Sequence, residues 1–136
     1  MVLNGQFKVI ESDLSAEFFS AFDMSSFKSF GTERCRSYAA LIQDDQIAAL
    51  APVYISDYGV NIEIVEVNPD FRGSKLGLTM IRELFAHTHN LSVEGKTRPM
   101  LSTQGFTADG KKYLMPHMDR IEAEFPDVDF GTYPGS

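Results

Sequence analysis

The sequence predicts an α/β (α+β) fold: a mixed sheet in which an antiparallel meander is followed by a strand, a loop, a helix and a parallel strand, with helices on both faces. Three observations carry this. Residues 37–43 and 47–56 are apolar, β-compatible runs joined by an acidic turn, which is the pattern of a hairpin. Residues 60–67 alternate apolar and polar side chains and lead through a glycine-spaced loop into apolar positions at helical spacing. A further strand-like run at 99–105 follows that helix, and a right-handed crossover makes it parallel to the strand before the loop.

Each element has its own signal. "FKVIE" (7–11) alternates as a first strand. "SDLSAEFFSAF" then offers Ser12 or Asp13 as a cap ahead of Leu14, Phe18, Phe19 and Phe22 on one helical face. From Ser25 to Arg36 the chain is polar with scattered aromatics and Gly31, a loop or short second helix of the kind that shapes a substrate cleft. The run 60–67 divides, as a regular strand, into a Val60, Ile62, Ile64 face and an Asn61, Glu63, Val65, Val67 face.

Leu76, Met80, Ile81, Leu84 and Phe85 predict an amphipathic helix from about Lys75 to His89, with Asn90 ending it. Leu114, Met118, Ile121 and Phe125 predict another, with Pro116 starting a turn or a kink and Gly110 weakening the first turn. The tail, 126–136, supplies at most one short strand before a poorly ordered end.

Composition bounds the function. A chain of 136 residues with 43% hydrophobic content fits a single domain spanning 1–136. Cys35 is the only cysteine and no basic start precedes an apolar run, so a reducing, cytoplasmic setting is expected. The longest apolar candidate, "IAALAPVYI", is short and interrupted by Pro52, so no membrane insertion is expected. A net charge of −7 argues against general nucleic-acid binding and leans slightly towards cationic acceptors.

The loop "RGSKLG" (72–77) has the parts of an anion site at a helix start: Gly73 for close backbone approach, Ser74 as a cap, and the charges of Arg72 and Lys75. Gly77 keeps the first turn unobstructed. The spacing matches neither a Walker A loop nor a dinucleotide fingerprint. Taken alone, the loop reads more as an ordinary strand-to-helix turn than as a phosphate site.

With its flanks, "VEVNPDFRGSKLGLTMIRELFAH" resembles the acetyl-CoA binding motif of the GNAT superfamily of N-acetyltransferases. Val67, Pro69, Arg72, Gly73, Leu76 and Gly77 stand at the family's positions, and Lys75 replaces its middle glycine. The motif resemblance covers residues 60–90; the short length and "STQGFTADGKKYL" look most like small phage-encoded members. The resemblance implies acetyl-CoA as co-substrate, with pyrophosphate on Arg72, Gly73, Ser74, Lys75, Leu76 and Gly77 and pantetheine along the backbone of Val65, Glu66 and Val67. It also implies direct acetyl transfer to an amine acceptor, small molecule or protein, by a monomer or homodimer.

For catalysis, Tyr113 matches by position the tyrosine that protonates the departing sulfur. Glu63 or Glu66 is the candidate base, as a partly buried strand carboxylate of raised pKa. Regular alternation puts these two on opposite faces. The bland readings are a core or rim tyrosine and solvated carboxylates. His87 and His89 lie about 200° apart on a helix, so they cannot share a metal; they and His117 read as surface residues, and no metal motif is present. Phe18, Phe19 and Phe22 read as core, with an acceptor-pocket lining as the other possibility. The alternative to an enzyme is a catalytically silent GNAT-like module that binds or inhibits a protein partner.

Overall fold

The computed structural model describes residues 6–11, 15–28, 30, 37–71, 76–103 and 115–132. In chain order the elements are β1 (Gln6–Glu11), α1 (Ser15–Phe19), β2 (Ser37–Gln43), β3 (Gln46–Ser56), β4 (Gly59–Ile62), β5 (Glu66–Val67), α2 (Leu76–Val93), β6 (Met100–Thr103), α3 (Met115–Glu124) and β7 (Asp129–Thr132). One seven-stranded sheet runs β1-β2-β3-β4-β6-β7, and β5 pairs with β3. Strands β1 to β5 are joined by antiparallel pairings, whereas β4 with β6 and β6 with β7 are parallel. The expected α/β (α+β) class, meander and strand-helix-strand unit are therefore present.

Strands β2 and β3 are apolar almost without alternation because both their faces are covered. On one face Ala39, Leu41, Ala49, Ala51 and Val53 join Val60, Ile62 and Leu101 beneath α2 and α3. On the other, Tyr38, Ala40, Ile47 and Leu50 pack with Phe19 and Phe27, flanked by Phe18, Phe22 and Phe30. Phe19 meets Tyr38 and Phe30 edge-on, with centroids 5.4 and 5.0 Å away. The Phe-rich stretch is thus core, as its spacing suggested. The helix in it is shorter than expected, ending at Phe19.

The β2–β3 hairpin closes on Asp44 and Asp45, both at positive φ (54° and 61°), the backbone of a type I′ turn. Helix α2 buries Leu76, Met80, Ile81, Leu84 and Phe85. It runs past Asn90, the expected end, to Val93. Its true stop is Gly95 at φ 76°, where Lys96 N–H donates to the Leu91 carbonyl and Gly95 N–H to that of Ser92, a glycine-closed helix terminus.

In α3, Pro116 occupies the first turn, where a missing N–H costs nothing. Met118 and Ile121 are buried and Phe125 packs beside them. Leu114 and Gly110 lie outside the described residues. The expected short C-terminal strand is β7. No described helix is long and apolar enough to cross a membrane.

Candidate functional site

The run 60–67 is not one regular strand. Val53 stands opposite Ile62, but Leu50 stands opposite Glu66, so one strand spans four steps while its partner spans three. The extra residue is accommodated where Ile64 and Val65 face Ala51. It is a β-bulge.

Pro52 supplies the cause. Glu63 N–H donates to the Pro52 carbonyl at 3.0 Å, but Pro52 has no N–H to return, so the ladder loses a rung just before the break. Pairing resumes at β5 and ends with Asn68 N–H on the Ala48 carbonyl at 2.8 Å. Among the described residues, no backbone acceptor meets the amide of Ile64 or Val65.

The bulge reverses the strand's face parity. Val65 and Val67, expected on the polar face, pack with Val60 and Ile62 against the α2 side. Glu66, paired with Leu50, and Glu63, bonded to Pro52, stand opposite positions two apart on β3 and therefore share the α1 face. The expectation that the two carboxylates point to opposite faces fails for this reason. Both are half-buried, and Glu66 Oε1 accepts the backbone N–H of Lys28 at 3.1 Å.

Strand β6 pairs with β4 at Val60, Asn61 and Ile62 and is described as far as Thr103; among the described residues β5 pairs only with β3. On the α1 side of the same strands, Asn61 Nδ2 donates to Ser102 Oγ at 2.9 Å, and Tyr54, opposite Asn61, is exposed.

Beyond β5 the chain is pinned by Asn68, a residue the motif spacing leaves unspecified. It is 7% exposed. Its Nδ2 donates to the Ile47 carbonyl at 3.1 Å, its Oδ1 accepts Asp70 N–H at 3.0 Å, and its carbonyl accepts Phe71 N–H at 2.8 Å. These bonds fold the short turn Pro69–Phe71, which precedes α2 in sequence; the first amides of a helix have no intrahelical acceptor.

Leu76 and Gly77 are buried in the first turn of α2. Arg72, Gly73, Ser74 and Lys75 lie outside the described residues, as does Tyr113. The structure thus brings Glu63, Glu66 and the bulge onto one stretch of strand, with β5 in contact with α2.

The histidines are less superficial than their spacing suggested. His87 is half-buried with its ring 6.1 Å from that of Phe7, and burial pushes its pKa down, with Glu94 opposing. Among the described residues no cluster of His, Cys, Asp and Glu could hold a metal ion.

No protein-family model matches the chain, and no curated protein matches it in sequence. Among solved structures, the aminoglycoside N-acetyltransferase AAC(6')-Iy in complex with CoA superposes with a TM-score of 0.47, covering 86% of this chain and 88% of that chain at 10% identity. A likeness at that level carries no argument about this chain.

Proposed function

We propose that the chain is an acetyl-CoA-dependent N-acetyltransferase that transfers an acetyl group directly to an amine acceptor. The observation that carries this reading is the β-bulge at Ile64–Val65, whose two amides meet no backbone acceptor among the described residues. A strand broken there offers backbone donors outside the described ladder. The turn held by Asn68 then leads to a helix start, a favourable place for a phosphate.

In this reading Val65, Glu66 and Val67 bind the pantetheine through their backbone. Arg72, Gly73, Ser74, Lys75, Leu76 and Gly77 hold the pyrophosphate. Acetyl-CoA supplies the thioester. An amide of the bulge stabilises the charge that develops on the carbonyl oxygen, Glu63 or Glu66 accepts the ammonium proton of the acceptor, and Tyr113 returns a proton to the departing sulfur. The cytoplasmic location, the single-domain span 1–136 and a monomer or homodimer belong to the same reading.

Calorimetric titration with acetyl-CoA tests it. Saturable binding is expected. Absence of heat at ~1 mM ligand, where even a weak site is half filled, would overturn the enzyme and leave the silent, partner-binding module. Gly73→Glu, which places a carboxylate among the phosphates, is expected to abolish the binding.

A further inference from the structure

A bond joins the segment after α1 to the strand break: the Lys28 N–H donates to Glu66 Oε1 at 3.1 Å, across 38 positions of sequence. The geometry of the sheet explains how it forms. The bulge turns Glu66 onto the face of its partner Leu50, and Leu50 belongs to the apolar cluster that holds Phe27 and Phe30. Glu66 is therefore delivered to the rim of that cluster, beside the Phe27–Lys28 backbone.

Phe27 is 5% exposed and seats the segment from the apolar side; Glu66 seats it from the polar side. A bond from a backbone N–H to a carboxylate is charge-assisted and roughly twice as strong as its neutral counterpart. Lys28 itself is exposed, so the bond has to hold its place against water.

We propose that Glu66 is a positioning residue, a clamp that holds the Phe27–Lys28 backbone over the α1 side of the strand break and so sets one wall of the acceptor site. Glu66 Oε1 is then engaged by the Lys28 amide before any acceptor arrives, which favours Glu63 over Glu66 as the base. Only the word acceptor rests on the acetyltransferase reading. The clamp is a property of the fold and can be tested without it.

The probe is the Lys28 amide, followed by hydrogen exchange and by its NMR resonance in the full chain. Glu66→Ala is expected to speed exchange at Lys28 by roughly tenfold or more, the loss of one bond to a charged acceptor, with Ala40 and Leu50 unchanged. Glu66→Gln, which keeps an oxygen acceptor, is expected to restore most of the protection.

In the parent protein the Lys28 resonance is expected to shift as the Glu66 carboxylate is protonated, and in Glu66→Gln that shift is lost; this second measurement serves if Glu66→Ala does not fold. Unchanged exchange in Glu66→Ala, or a Lys28 resonance that ignores acid in the parent, overturns the clamp. A failed acetyl-CoA titration with these results intact would remove the enzyme and keep the clamp.

Discussion

Gly59 and Met100 touch across two strands so closely that a Cβ at position 59 would lie 2.4 Å from the Met100 carbonyl oxygen. Gly59 also sits at φ 146°, a conformation that other residues adopt only under strain. Gly59→Ala is therefore expected to cost about 2 kcal/mol or more in urea unfolding, from strain of ~1–3 kcal/mol plus the overlap. Since the clash is with backbone, adding Met100→Ala does not restore the loss.

The β2–β3 turn is expected to respond in the opposite direction. Asp44 and Asp45 both hold positive φ, and glycine adopts that backbone at no steric cost. Asp45→Gly is expected to raise stability by about 0.5–1 kcal/mol, read as a higher urea midpoint at unchanged slope.

Asn68→Ala is expected to destabilise by about 2–3 kcal/mol, because it strips bonds from the buried Ile47 carbonyl and from Asp70 N–H. If the proposed activity holds, acetyl-CoA affinity falls with it, as the turn ahead of α2 loses its anchor. Urea unfolding and calorimetry on the same variant separate the two effects.

Stability is expected to fall in mild acid through His87. Burial lowers its pKa below the ordinary 6.5, so the unfolded chain binds a proton at higher pH than the folded one. The folded state then loses stability as pH drops from about 6.5 through the folded pKa, and gains nothing further above 6.5. Thermal unfolding at stepped pH values checks this; His87→Leu is expected to flatten the slope in that window.

The pair between Arg82 on α2 and Glu124 on α3, 2.9 Å apart with both side chains about two-fifths exposed, is expected to matter little. Glu124→Gln should cost under about 1 kcal/mol, and less in high salt. A larger loss in urea unfolding would mean that the pair orders the α2–α3 contact.

Much of the fold was legible because apolar period reports burial directly. The hairpin at 37–56, the buried stripe of α2 and the parallel return of β6 all follow from spacing. The strand break is not legible in its own residues, since 60–67 alternates well enough to pass for one strand. Its signal lay elsewhere, in Pro52, which cannot give a hydrogen bond to the neighbouring strand. Asn68 was missed for a different reason: a motif read as Val-x-Pro discards the middle residue, and its importance lies in bonds to residues about twenty positions away. Asn90 predicts the end of α2, although Gly95 is the residue whose backbone can close it.

The bulge also makes the length of the segment between Ile62 and Glu66 a matter of parity. Removing one residue, Ile64 for example, would restore a regular ladder and leave Glu66 opposite Leu50 and Val67 opposite Ala49, each on its present face. Straightening the run with every residue kept would instead turn Val67 towards the Phe-rich side and Glu66 into the apolar layer beneath α2. The extra residue is therefore what keeps that carboxylate out of the apolar layer, and a deletion that closes the bulge costs the bulge alone, with inside and outside unchanged up to Asn68.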